Sequence, residues 1–181
     1  MPYFYRLSLY QIIYKFQVEG NEKYASRFRV RMPPYETVPD IFKVDMNNVQ
    51  AKLGFKQLKR IDKTNKQRMA HARLLNEELS GIPGLTIPLL RDDREYVAVH
   101  YALWTEKSKE LQNYLTRNKI DAQDETAVNT TTLERFASYA QGEFPNAAKL
   151  QGNVIFLPTH PYLSKNDILY MAQKVKEFFN K

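Results

Sequence analysis

The feature that most constrains this chain is a long amphipathic run over residues 47–80, which predicts one continuous helix. Asn47 is suited to cap the N-terminus of this helix and Gly81 to end it, because glycine readily adopts the left-handed conformation found after helix C-termini. Apolar side chains recur along one stripe, which consists of Val49, Leu53, Leu58, Ile61, Met69, Leu75 and Leu79. Basic residues occupy the other sides, which makes the predicted helix amphipathic.

Short strands alternate with helices after residue 80. The predicted strands are residues 85–89, 95–103, 120–122 and 153–158, and predicted helices begin near Thr105, Leu133, Pro145 and Ser164. The helix after Thr105 is expected to point Leu111, Tyr114 and Leu115 inward. This order predicts an α+β fold, in which a long N-terminal helix and further helices pack on a small, mainly antiparallel sheet.

Residues 1–45 differ from the rest of the chain, because they hold 10 of its 23 aromatic residues. Residues 3–16 predict a helix that is apolar on nearly every side, and Pro33, Pro34 and Pro39 predict an extended connector after it. A helix of this kind needs cover on most of its surface, so we expect it to dock on another domain or subunit. The sequence therefore predicts two domains, residues 1–45 and residues 46–181.

Composition excludes several classes of protein. The chain has no Cys, which rules out disulfide scaffolds, thiolate nucleophiles and cysteine-based metal sites. No apolar run approaches the ~20 residues that span a bilayer, and the aromatic start lacks the pattern of a signal peptide. We therefore expect no membrane partner and a cytoplasmic protein.

The three histidines do not suggest a catalytic or metal site. His71 is expected to be an exposed helical residue, His100 a structural residue of a strand and His160 a turn residue. No spacing of His, Asp or Glu matches a metal site, and no phosphate-binding glycine loop or nucleophile motif is present. The residues alone thus predict neither a catalytic residue nor a metal ligand.

The predicted long helix is basic, since residues 47–80 hold eight Lys and Arg against three Asp and Glu. Such a surface is most often a solvated helix face, and it can also bind nucleic acid or an acidic partner. Lys52, Lys56, Lys59 and Lys63 would share one face of a continuous helix. Because Phe55 is the single aromatic residue between them, base stacking would have little support, so a nucleic-acid partner is disfavoured and an interaction module remains an alternative.

Residues 46–62, MNNVQAKLGFKQLKRID, resemble the helix that opens the small C-terminal domain of the DegT/DnrJ/StrS family of pyridoxal-phosphate sugar aminotransferases. The matching positions are Met46, Asn48, Gln50, Ala51, Gly54, Gln57, Leu58 and Asp62. Three later motifs resemble the family in the same order, and the resemblance covers about residues 40–180. Their matching positions include Arg68, Asn76, Leu79, Pro83, Leu85, Phe144, Pro145, Ala147, Leu150, Leu157, Pro158, His160 and Pro161, and Lys119 stands where the family usually has Gly.

The resemblance implies a fold and a parent activity. Family members are about twice as long as this chain, and their large N-terminal domain carries the lysine that binds pyridoxal phosphate. We expect this chain to be the C-terminal half of such an enzyme, with residues 1–45 as the segment that bridges the two domains. For this chain alone the resemblance therefore implies no cofactor and no transaminase activity.

The resemblance also points to two candidate cofactor-binding residues. The residue before the opening Met of the family's helix is usually Arg or Asn, and it contacts the cofactor phosphate of the neighbouring subunit. Here that position holds Asp45, whose carboxylate would repel a phosphate unless a cation such as Lys43 or Arg31 intervened. The histidine-containing element that often follows the family's Gly-Ile strand is replaced by Gln123-Asp124-Glu125.

Partners follow from the same resemblance. We expect a homodimer or a complex with a separately encoded large domain. The alternatives are a half-enzyme that is active in trans with a lysine-bearing chain, and a nucleic-acid or protein interaction module built on the basic helix.

Overall fold

The computed structural model describes residues 43–91, 93, 96–123 and 128–180. The predicted helix over residues 3–16 and the proline-rich connector lie outside the described residues. The chain divides into two compact units, residues 1–55 and residues 56–181. The predicted domain division at residue 45 stays a prediction.

The described part of the first unit contains the start of helix α1 (Asn48–Leu58). The Asn47 side-chain oxygen accepts hydrogen bonds from the backbone N–H groups of Val49 and Gln50, each at 3.0 Å. The Gln50 side-chain oxygen accepts from the Asn47 N–H at 3.0 Å. This reciprocal pair satisfies donors that have no partner inside a helix, and it confirms Asn47 as the N-cap.

The predicted continuous helix is interrupted. α1 ends at Leu58, and a second helix, α2, spans Ile61–Leu79. Between them the Arg60 N–H donates to the Gln57 carbonyl at 2.9 Å, a tighter turn than an α-helix makes. Leu58 and Ile61 are 63% and 46% exposed, so no core packing holds this part of the helix straight.

The predicted apolar stripe is only half buried. In the second unit, Leu75 and Leu79 are fully buried and Met69 packs against the core. In the first unit, Val49 and Leu53 are 69% and 58% exposed. The amphipathic pattern therefore corresponds to a core-facing side over α2, whereas Val49 and Leu53 on α1 are mostly exposed.

The sheet of the second unit consists of β1 (His100–Trp104) and β2 (Val154–Pro158), paired antiparallel with Ala102 opposite Phe156. The predicted strands over residues 85–89 and 120–122 reduce to single bridges. Thr86 bridges to Trp104, and Gln123 bridges to Phe156. The α+β class with a small antiparallel sheet is confirmed.

Helices α2, α3 (Ser108–Arg117) and α5 (Lys165–Phe179) contribute buried side chains to the core against this sheet. The short helix α4 (Pro145–Leu150) buries none, and the predicted helix near Leu133 consists of two 3₁₀ segments, Thr130–Thr132 and Glu134–Tyr139. α5 packs against both α2 and α3. Fully buried side chains from each layer form one core, which includes Leu75, Tyr101, Leu103, Leu111, Leu115, Ile155, Leu157, Ile168 and Val175.

The N-terminus of α5 is closed by a capping box. The Ser164 hydroxyl oxygen accepts from the Asp167 N–H at 3.2 Å, and the Asp167 carboxylate accepts from the Ser164 N–H at 2.7 Å. The Ser164 hydroxyl also donates to the Asp167 carboxylate at 2.7 Å, and this bond, together with the one from the Ser164 N–H, holds the pKa of Asp167 below its ordinary value. The predicted cap at Ser164 is confirmed.

α3 ends in a turn that is unusual for its sequence. The Ile120 N–H donates to the Leu115 carbonyl at 2.9 Å and the Lys119 N–H donates to the Thr116 carbonyl at 3.0 Å, the paired bonds of a Schellman motif. This motif requires a left-handed residue, and Lys119 occupies that position with φ 63°. A side chain makes that conformation costly, which explains why glycine suits the position better.

We expect Lys119→Gly to raise the free energy of unfolding by about 1 kcal/mol, because glycine adopts the left-handed conformation without steric cost. Urea denaturation followed by circular dichroism measures the change. Lys66→Gly, an equal charge change inside α2, is the matched control and should lower stability by about 1 kcal/mol. A destabilised Lys119→Gly variant would contradict this account of the turn.

Candidate functional site

The two residues that the sequence singles out for cofactor contact lie in the first unit. Lys43 and Asp45 are both exposed, and both precede the N-cap Asn47. Lys43 is the single cation among residues 43–47. Their assignment as cofactor contacts stays a prediction.

The N-terminus of α1 is poorly suited to a phosphate group. Helix N-termini bind phosphate through free backbone N–H groups and a positive dipole end. Here the N–H groups of Asn47, Val49 and Gln50 are already bonded to side-chain oxygens. The Asp45 carboxylate adds a negative charge just before the helix, so a phosphate there would meet both occupied donors and repulsion.

No lysine in the described residues has the environment of a covalent cofactor lysine. Such a lysine reacts as the neutral amine, so it is activated by burial or by neighbouring cations that lower its pKa. Lys174 and Lys176 are half-buried, and the other described lysines are exposed. Lys174 lies 2.7 Å from Glu177, whose hydrogen bond raises the lysine pKa, and Lys176 lies 2.6 Å from Glu78.

Several residues that carry the family resemblance instead support the fold of the second unit. Asn76 on α2 accepts from the Tyr101 hydroxyl and donates to the Pro88 carbonyl at 3.1 Å. Burial raises the pKa of Tyr101, which keeps its hydroxyl protonated as a donor. Arg68, on the same helix, donates from Nη1 to the Val99 carbonyl at 3.1 Å. These side chains tie α2 to the loops around the sheet.

His71 is buried, and the prediction that it is exposed was wrong. Its Nδ1 lies 3.2 Å from the Thr159 carbonyl, just beyond β2. Thr159 is itself fully buried and its hydroxyl lies within hydrogen-bond distance of the Ala98 and Val99 carbonyls. The basic residues near His71 in sequence suggest exposure, and its contact with Thr159 could not be predicted, because only the fold brings the end of β2 to α2.

His100 and His160 are both exposed. His100 begins β1 and contacts the ring of Phe156 edge-on, with ring centroids 6.1 Å apart. His160 begins the turn that follows β2, since its carbonyl accepts from the Leu163 N–H. The prediction of a turn residue at His160 is confirmed, whereas His100 lies at the surface of the strand.

A group of donor side chains surrounds His160. We name Arg60, Arg68, His160 and Tyr162 the His160 cluster. The His160 and Tyr162 rings lie 5.0 Å apart, and Arg60 Nη2 lies 3.4 Å from the Tyr162 hydroxyl. Partial burial, and then the charge of Arg68, lower the pKa of His160. Sequence reasoning missed this cluster, because its members come from two elements almost 100 residues apart.

A shallow cavity of about 260 Å³ lies over the 3₁₀ segments. Its lining is Thr130, Thr131, Phe136, Tyr139, Ala140 and Phe144. The buried Asn129 holds one lining residue in place, since its side-chain oxygen accepts from the Thr131 N–H at 3.1 Å. The lining carries no charged side chain, so this cavity offers neither an acid–base pair nor an anion site.

In the part of the chain that the structure describes, no three His, Asp or Glu side chains come close enough together to hold a metal ion. Among the described helices, none combines the length and the apolar character needed to cross a bilayer.

We expect Asn76→Ala to lower the free energy of unfolding by about 1–3 kcal/mol, because it removes the acceptor of a buried tyrosine hydroxyl. Urea denaturation measures this change. Asn166→Ala on the exposed face of α5 is the control and should stay within about 0.5 kcal/mol of the parent protein. Combining Asn76→Ala with Tyr101→Phe should cost less than the sum of the two changes, and full additivity would contradict a direct link between these side chains.

Comparison with known proteins gives one consistent family. The family described as the DegT/DnrJ/EryC1/StrS aminotransferase family matches residues 7–176. The spore coat polysaccharide biosynthesis protein SpsC of Bacillus subtilis is 27% identical over 155 residues, which are 79% of this chain and 39% of that protein. A dTDP-3-amino-3,4,6-trideoxy-alpha-D-glucose transaminase of Streptomyces venezuelae is 27% identical over 74% of this chain and 36% of its own length.

Solved structures show the same fold. The structure of S. venezuelae DesV in complex with a ketimine intermediate superimposes with a TM-score of 0.68 at 24% identity, over 90% of this chain and 46% of that one. An aminotransferase from Brucella abortus gives a TM-score of 0.69 at 20% identity, over 90% of this chain and 45% of that one. The chain thus spans less than half the length of the relatives it matches.

Proposed function

Because this chain belongs to the DegT/DnrJ/EryC1/StrS aminotransferase family, we propose that it supplies the small-domain half of a pyridoxal-phosphate-dependent nucleotide-sugar aminotransferase. Pyridoxal phosphate supplies an electron sink for amino-group transfer in such enzymes. In this proposal the lysine that binds it belongs to a large domain outside the described residues. The described residues by themselves perform no transamination.

The environment of the lysines is the observation that carries this proposal. A lysine that forms a covalent bond to a cofactor must be activated, and each described lysine is either exposed or paired with a carboxylate. The occupied amides at the start of α1 and the charge of Asp45 also disfavour a phosphate contact there. The match to less than 40% of each named relative's sequence is consistent with a domain that contributes structure to a larger enzyme.

We further propose that the exposed apolar side of α1 docks on the large domain or on a second copy of this chain. Val49 and Leu53 lie one helical turn apart, and both are more than half exposed. Val44, Met46 and Phe55 add exposed apolar surface in the same unit, at 73%, 65% and 61%. An apolar surface of this kind is typical of an interface rather than of a solvated helix.

The remaining expectations from the sequence are also parts of this proposal. Residues 1–45 would form the bridging segment and residues 46–181 the small domain, in a cytoplasmic enzyme. The assembly in trans of this chain with a lysine-bearing chain is the form in which activity would be regained. A nucleic-acid function has less support, because the break between α1 and α2 disrupts the single basic face on which it depends.

The proposal is tested by complementation. The purified chain is mixed with the large domain of Bacillus subtilis SpsC lacking its own small domain, and amino-group transfer to a nucleotide keto-sugar is measured. We expect no turnover from either piece alone and measurable turnover from the mixture. Replacing the cofactor lysine of the large domain by alanine is the control and should abolish that turnover.

Variants of the chain test the docking surface in the same assay. Leu53→Asp should weaken assembly, measured by analytical ultracentrifugation, because it places a charge in an apolar contact. Leu89→Asp, at a leucine that is 82% exposed in the second unit, is the matched control. Turnover by this chain alone, or specific reduction-trapped pyridoxal phosphate on one of its described lysines, would overturn the proposal.

A further inference from the structure

The His160 cluster joins two elements of the second unit. Arg60 lies just before α2 and Arg68 lies eight residues further, about 12 Å along the helix axis. His160 and Tyr162 belong to the turn after β2 and lie against this side of α2, because Tyr162 contacts Arg60. The His160 and Tyr162 rings are in contact at 5.0 Å. Arg68 reaches the same place, because the Val99 carbonyl to which it donates also accepts from the hydroxyl of Thr159, the residue before His160.

The cluster presents donors and few acceptors. His160 Nδ1 accepts from the Tyr162 N–H at 3.3 Å, which places the proton of the neutral ring on Nε2 as a donor. A guanidinium carries five N–H donors, and the structure gives one hydrogen bond to each arginine of the cluster. The Tyr162 hydroxyl accepts from Arg60, so its own hydrogen is available to a further acceptor.

The positive charges of the cluster have no carboxylate counter-charge in the described part of the chain. Neither Arg60 nor Arg68 forms a salt bridge there, and Asp62, the nearest acidic residue in sequence, pairs with neither. Partial burial, and second the charge of Arg68, lower the pKa of His160. The cluster is also open to solvent, since the Tyr162 side chain is 79% exposed.

We propose that the His160 cluster binds a phosphate-type oxyanion. Guanidinium groups match the oxygen atoms of phosphate in charge and geometry, and bidentate contacts with arginine are strong and directional. A phosphate offers several acceptor atoms around one centre, which suits donors that arrive from a helix and from a turn. Inorganic phosphate and the phosphoryl group of a nucleotide share this chemistry.

The proposal is distinct from the proposed aminotransferase function. It concerns residues of the second unit alone, and it is measured on this chain without a large domain or pyridoxal phosphate. Failure of phosphate binding would leave the complementation experiment unaffected, and failure of complementation would leave this site unaffected.

Nuclear magnetic resonance provides the test. The full chain is titrated with sodium phosphate at constant ionic strength, with sodium chloride as the reference, and the side-chain signals of Arg60, Arg68 and His160 are followed. We expect saturable shifts of these three signals with phosphate and none with chloride. Constant ionic strength matters because salt screens charges at exposed sites.

Variants distinguish a site from general attraction to a basic protein. Arg60→Gln should weaken phosphate binding about tenfold, since it removes a charge-assisted donor. Tyr162→Phe retains the ring, removes the hydroxyl and should also weaken binding. Lys149→Gln removes one positive charge at Trp104, outside the cluster, and is the matched control that should leave binding unchanged. Thermal unfolding verifies that each variant is folded.

A second titration with uridine diphosphate identifies the source of the phosphate. Tighter binding of uridine diphosphate than of phosphate would support a nucleotide ligand, and equal binding would support free phosphate. The proposal is overturned if the cluster signals do not shift, or if Arg60→Gln and Lys149→Gln weaken binding equally, which is the behaviour of an adventitious ion only.

Discussion

The described second unit depends on the burial of apolar side chains between α2, the two-stranded sheet and α5. Leu75 and Leu79 from α2, Leu103 and Leu157 from the sheet and Ile168 from α5 are almost completely inaccessible to solvent. Two strands alone make a marginal sheet in water, so the helices supply the apolar cover that keeps it folded. Polar links such as Asn76 to Tyr101 then fix how α2 lies over the sheet. Side-chain hydrogen bonds of this kind thus specify the orientation of α2, which hydrophobic burial alone does not determine.

The difference between local signals and contacts made only in the folded chain explains which parts of the fold the sequence predicts. Helix ends are predicted by the local chemistry of Ser164, Gly81 and Asn47, and strands by the β-branched and aromatic runs at β1 and β2, because these signals act between near neighbours in the chain. The break between α1 and α2 has no such signal. It arises where core contacts are missing, which is a property of the folded chain.

The candidate sites show the same limit. Asp45 and Lys43 could be named from a short motif, because that motif is contiguous. The burial of His71 and the gathering of Arg60 with His160 and Tyr162 depend on bringing the end of β2 to α2 across about ninety residues or more. Residues that match the family, such as Asn76 and Arg68, turn out to bond to backbone and core groups, so resemblance alone did not separate a structural role from a chemical one.

The single bridges on either side of the sheet have a consequence for how this protein meets other molecules. Thr86 occupies part of the outer edge of β1, and Gln123 occupies part of the outer edge of β2. Open strand edges are templates on which foreign strands can add, and short, partly paired edges resist that addition. Recognition by the second unit is therefore left to side chains on its helices and turns, and continuous growth of the sheet from one molecule to the next is disfavoured.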